Sequence, residues 1–137
     1  MRANVYLHFN GQCATAFKFY EKCLGTKILM TMTYGESPTP EKTPAELRNA
    51  VMHTRIAVGD TLIMGSDAPP DRYRKPQGFA VAINTDDPAE ADRVFAALSG
   101  NGTVTMPIAE TFWAKRFGML IDQFGITWFV NCEKPMS

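Results

Sequence analysis

Apolar and polar residues alternate from Asn4 to Phe9, with Val5, Leu7 and Phe9 on one side and Asn4, Tyr6 and His8 on the other. A period of two predicts a strand whose faces differ. From Gln12 the period lengthens. Cys13, Ala16, Phe17, Tyr20, Cys23 and Leu24 recur at the spacing of one helix face, and Gly25 is placed to end that helix. Residues 26–34 are rich in β-formers, whereas 36–48 hold three prolines and mixed charge and predict a long polar loop, a kind of segment that often carries function. Strands follow over Ala50–Val58 and Thr61–Gly65, joined by a tight turn at Gly59-Asp60.

The second half repeats this order. Residues 79–85 predict a strand; Asp87, Pro88 and Glu90 then supply an N-cap, a first-turn proline and an N3 acid. Ala91, Val94, Phe95 and Leu98 form the buried stripe of that helix and Gly100 closes it. Strands are expected near 102–106, 112–121 and 126–132, with the last turn at Phe124-Gly125. The pair Tyr20/Gly25 recurs as Phe95/Gly100 at the same separation. The reading is therefore an α+β chain of two βαβββ modules, residues 1–68 and 77–133, with a linker at 69–76. Such modules form curved mixed sheets, and two of them packed together are expected to enclose a shared ligand cavity.

With 137 residues and 45% hydrophobic content, the chain can bury a core without disulfides or a structural metal. Fourteen basic and fourteen acidic side chains cancel, so no global field draws nucleic acid or anionic lipid. Neither is expected as a partner. The longest apolar runs, Phe79 to Ile83 and Val94 to Leu98, are far too short to span a bilayer, and no secretory leader is visible. A cytoplasmic location is the expectation. Cys13, Cys23 and Cys132 are odd in number and lack ligand-like spacing, which favours buried thiols over a disulfide framework or a zinc knuckle.

Three segments carry a family resemblance: FNGQCATAFKFYEKCLG (Phe9–Gly25), HTRIAVGDTLIMGSDA (His53–Ala68) and ETFWAKRFGMLIDQFGITWFVN (Glu110–Asn131). Together with the paired βαβββ pattern, they resemble the vicinal oxygen chelate superfamily of glyoxalase I, bleomycin-resistance proteins and ring-cleaving dioxygenases. More narrowly, the chain looks like the PhnB-like branch. The resemblance implies a homodimer. In many members a divalent ion is held by His or Glu from the first and last strands of each unit. Those positions fall here on Asn4, Ala80, Met64 and Phe129. None is a usual ligand, so the expectation is a more apolar pocket without the superfamily's metal and with no cofactor. His8, His53 and Glu110 are the donors that could converge on a non-standard His₂Glu site instead.

Ligand-binding candidates come from the same strands. Tyr6 and His8 share the polar face of the first strand, and an imidazole there could act as a base or a hydrogen-bond donor, or be a satisfied structural residue. The same two readings stand for His53. Arg55 follows His53 on one face and could meet an anionic ligand in bidentate fashion or simply face solvent. Glu110, Phe112, Ala114 and Arg116 are expected on one face of the 112–121 strand, with Trp113 on the other. Glu110 and Arg116 beside Phe112 could bind a polar head group, or form a rim ion pair with each other. Met30, Met32, Met52, Met64 and Met119 could line an adaptable pocket or pack a core. No Gly-rich loop follows a strand as a nucleotide or S-adenosylmethionine fold requires, although PhnB-like proteins are sometimes labelled as methyltransferases. The P-loop, GxSxG and HExxH signatures are also missing. The expected function is binding of a small organic ligand. The alternatives are a metal-dependent lyase, isomerase or dioxygenase resembling glyoxalase I, and a resistance-type protein that sequesters a drug or toxin.

Overall fold

The computed structural model describes residues 1–135. The chain divides into two compact units, Met1–Arg74 and the residues from Lys75 onward. Each contains a four-stranded mixed sheet and one α-helix, an α+β architecture.

In the first unit β1 (Val5–Phe9) leads into α1 (Cys13–Leu24), followed by β2 (Ile28–Thr33), β3 (Val51–Val58) and β4 (Thr61–Asp67). The sheet order is β1-β4-β3-β2, with β1 parallel to β4 and the other pairs antiparallel. Gly25 ends α1 in the left-handed conformation, as its position after the apolar stripe predicts. The Pro-rich stretch forms three short helical turns between Tyr34 and Leu47 rather than a featureless loop.

Register assigns the two faces. Leu7, Gly65, Thr54 and Thr31 stand in one row across the four strands. A Cβ on Gly65 would lie 2.6 Å from the Phe17 ring, so α1 covers this face and rests closely on it. Leu7, Ile56 and Ile63 on the same side are buried together with Cys13, Ala16, Phe17 and Tyr20. The adjacent row, Tyr6, Met64, Arg55 and Met30, must therefore point away from the helix.

The second unit repeats the topology. β5 (Val81–Asn84), α2 (Pro88–Leu98), β6 (Thr103–Ala109), β7 (Ala114–Ile121) and β8 (Thr127–Glu133) give the order β5-β8-β7-β6, again with the outer first strand parallel to the last. The Asp87 carboxylate accepts from Ala89 N at 3.0 Å and caps α2, with Pro88 in its first turn. The end of α2 differs from expectation: Ser99 is the C-cap, and Asn101 (φ 58°) rather than Gly100 takes the left-handed turn. Asparagine tolerates that region, so glycine was not required. The helix-side row is Ile83, Val130 and Gly118, and a Cβ on Gly118 would meet the Phe95 ring at 2.6 Å. Trp128, Leu120 and Val130 are fully buried on this side.

One buried carboxylate organises each unit. Asp67, 3% exposed, accepts from Cys13 N (3.0 Å) and Val51 N (2.9 Å), tying the start of α1 and the start of β3 to the end of β4. Asp122, 4% exposed, accepts from Phe124 N, Ile126 N and the Trp128 indole, fixing the β7–β8 turn against the core. Truncating either carboxylate strands two or more buried donors. Asp67→Ala and Asp122→Ala are each expected to lower the free energy of unfolding by about 2–4 kcal/mol, read as a fall in urea midpoint at unchanged slope.

Candidate functional site

The polar candidates of the first unit come together because strand parity puts them on the face turned away from α1. Tyr6 and His8 are alternate residues of β1, and His53 and Arg55 are alternate residues of β3. The Tyr6 hydroxyl lies 3.1 Å from His53 Nδ1; which of the two donates depends on the imidazole tautomer. The Tyr6 and His53 rings are stacked with centroids 5.7 Å apart, and the His8 ring lies 5.2 Å from Tyr6 at a tilt. Met64 stands between Tyr6 and Arg55 in the row and is partly exposed. The result is a sheet face with a phenol, two imidazoles and a guanidinium around a thioether.

Tyr34, which the sequence reading passed over, borders this group. Its hydroxyl donates to the Asp67 carbonyl at 2.8 Å. Burial raises its pKa first, and the negative charge of Asp67 adds to that. The signal that could have found it is its place at the end of β2, where the chain leaves the sheet for the Pro-rich segment. Burial, then the Asp67 charge, pushes the Cys13 thiol far above its ordinary range. That thiol is a packing group, since thiolate chemistry needs the opposite shift.

The second unit distributes its candidates differently. β7 begins at Ala114, so Glu110, Phe112 and Trp113 precede the strand and the alternation expected from 112 does not hold. Thr111 instead shapes a short bend: its backbone N–H donates to the Ala114 carbonyl and its hydroxyl accepts from Ala114 N. Glu110 pairs with Lys134 at 2.9 Å, and that ammonium holds its carboxyl below the usual range. Arg116 lies on the helix side and donates through Nε to Asp92 of α2 at 2.6 Å. Of the two readings of Glu110 and Arg116, the rim ion pair with each other is not formed: each pairs elsewhere, and a bulge between Ala114 and Arg116 shifts the register here. Both acids are at least half exposed, and such pairs contribute at most about 1 kcal/mol.

The second sheet's own helix-averted face is aromatic. Trp113 meets Phe117 with centroids 5.4 Å apart, and Phe117 meets Phe129 at 5.7 Å, both edge to face. Phe112 packs its ring on Trp113 but is 89% exposed. Beyond Phe117 in the same row, Asn131 donates its amide to Asn84 at 3.2 Å. A shallow cleft of about 190 Å³ adjoins this pair, lined by Asn84, Thr85, Asp86, Asn131 and Glu133.

The superfamily's metal positions can be judged by donor chemistry. Met64 and Phe129 do occupy equivalent helix-averted places, opposite Tyr6 and Ala82 respectively. Asn4 accepts weakly from Leu62 N at 3.4 Å. Amide, thioether, methyl and phenyl groups do not fit a divalent ion that prefers imidazole and carboxylate. Among the described residues no group of three or more His, Cys, Asp or Glu is placed to hold a metal ion.

Residues 2–131 match the sequence model of the family described as 3-demethylubiquinone-9 3-methyltransferase. The chain belongs to this family. A curated member-like relative, Protein YjdN of Escherichia coli (strain K12), is 32% identical over 142 residues, covering 98% of this chain and 97% of that protein. The crystal structure of protein PA1353 from Pseudomonas aeruginosa superposes with a TM-score of 0.89 at 40% identity, over 98% of this chain and 99% of that one. A PhnB protein from Bacillus cereus shares the fold, with a TM-score of 0.77 at 21% identity over 96% of this chain and 98% of that one. The PhnB-like part of the sequence resemblance is therefore sound. Among the described residues no helix of this family member is long and apolar enough to cross a membrane.

The Tyr34 environment gives a pH dependence. Its folded-state pKa lies above the unfolded value, so the folded chain keeps the proton longer. The stabilisation is complete below the ordinary tyrosine value of about 10 and is lost as pH rises above it. Tyr34→Phe is expected to cost about 1 kcal/mol at neutral pH through the lost hydrogen bond, and to flatten the alkaline decline in thermal midpoint between about pH 9 and 11.

Proposed function

We propose that the protein binds a small organic molecule on the helix-averted face of the first sheet, as a vicinal-oxygen-chelate-like protein whose metal positions have been given over to other side chains. The observation that carries this reading is the Tyr6–His53 hydrogen bond beside His8 and Arg55. Four polar groups without a structural task on the helix side are gathered on one sheet face. Hydrogen-bonding groups convergent around an apolar floor, here Met64, are the usual make-up of a ligand site. The metal-dependent and drug-sequestering alternatives draw on the same fold, but the donor set at Asn4, Met64, Ala80 and Phe129 speaks against the first.

Methyl transfer is a second reading, favoured by the family's description. The chain has no Gly-rich loop opening a helix after a strand, and β1 reaches α1 through Asn10, Gly11 and Gln12 only.

A thermal-shift screen separates the readings. Aromatic acids, phosphonates, thiol conjugates and S-adenosylmethionine are tested against the parent chain and a Tyr6→Phe/His53→Ala variant. A ligand at a hundred times its Kd is expected to stabilise the parent by about 2.7 kcal/mol, a rise of roughly 8 °C, and to lose most of that effect in the variant. Stabilisation by S-adenosylmethionine with none from the other compounds would favour methyl transfer instead.

A further inference from the structure

We infer that the face carrying Tyr6, His8, His53 and Arg55 is a site for an oxyanion, a carboxylate or phosphate group borne by a small organic ligand. This rests on the small-molecule reading above and adds the chemical class of the head group. The Arg55 guanidinium offers donors only and can present its planar fork to two oxygens at once; the hydrogen-bonded Tyr6–His53 pair keeps one donor in either tautomer, and the His8 ring can offer another.

Across β1 to β4 the only acidic residue is Asp67, and both its carboxylate oxygens are taken on the helix side by Cys13 N and Val51 N. Glu36, past the end of β2, is held by the backbone and hydroxyl of Thr33. Arg55 has no ion-pair partner among the described residues, in contrast to Arg116 with Asp92 and Lys134 with Glu110. With a net charge of zero, the whole molecule contributes no field that would substitute for this local one.

The row Tyr6, Met64, Arg55, Met30 of the first sheet has its counterpart in Ala82, Phe129, Met119, Met106 of the second. The backbone pairing is the same, yet the phenol and the guanidinium stand only in the first row. Packing alone is satisfied by the apolar version, so the polar version answers to something other than the sheet. Met64 supplies a polarisable floor for the organic body of the ligand, with the Tyr6 ring at its side.

The test is a nitrogen-15 NMR titration of the full chain with benzoate, phenyl phosphate and the neutral isostere benzamide. Benzoate and phenyl phosphate distinguish a carboxylate from a phosphate head group. Either anion is expected to shift the Arg55 side-chain Nε–H signal and the amides of Tyr6 and His53, with benzamide at least about tenfold weaker. Arg55→Gln is expected to weaken the preferred anion about tenfold or more without changing the thermal midpoint of the free chain, and Arg55→Lys to recover only part of the loss, because the fork is gone. Benzamide binding as tightly as both anions, or anion affinity unchanged in Arg55→Gln, overturns the oxyanion inference while leaving the small-molecule reading in place. Shifts from none of the three probes at these residues overturn both.

Discussion

In each unit an aromatic ring of the helix lies over a strand glycine, Phe17 on Gly65 and Phe95 on Gly118, with no room for a methyl group between them. This contact lets the helix sit low on the sheet and seals one face against it. Everything else about the strands follows from that choice, because side chains alternate with a period of two. Residues in the glycine's row are core; their neighbours along each strand face the other way. The two glycines stand on different strands, β4 and β7, yet in the same cross-sheet row, so the repeat preserves the geometry of the contact rather than the residue that makes it.

Buried carboxylates complete the frame where the sheet must meet irregular chain. Asp67 receives the first helical N–H and the first N–H of β3, and Asp122 receives two N–H groups of a turn and an indole. A carboxylate can accept several bonds at once and so can satisfy donors that a loop would leave stranded in the interior. The side chains that carry polar chemistry are thereby sorted. Asp67 and Asp122 serve the fold, as does Arg116 through Asp92, whereas Tyr6, His8, His53 and Arg55 are left over on a face the core does not use.

The repeat also shows that one backbone plan can carry different side chains on its two helix-averted faces. Equivalent positions on the two helix-averted faces hold Met64 and Phe129, Tyr6 and Ala82, Arg55 and Met119. The pairing that positions these side chains depends on backbone hydrogen bonds and on the helix contact, neither of which constrains the averted face. That face is free to become imidazole and guanidinium in one unit and phenyl in the other. Family membership fixes the scaffold, while the site must be argued from its own residues.

The sequence by itself determined the elements, their order and the duplication, because periods of two and of 3.6, a proline after an N-cap and glycines at turns are local properties of the chain. Tyr6, His8, His53 and Arg55 were legible as candidates for the same reason: alternation on two well-formed strands assigns a face without knowing the partner strand. Only the tertiary structure decided that His53 meets Tyr6, that Arg116 belongs to Asp92 and Glu110 to Lys134, and that the Tyr34 hydroxyl donates to the Asp67 carbonyl. Those outcomes turn on where β7 starts, on one bulge between Ala114 and Arg116, and on contacts between residues far apart in the chain. A shift of one residue reverses a strand's faces, and nothing in the local pattern of Glu110 to Arg116 reveals it.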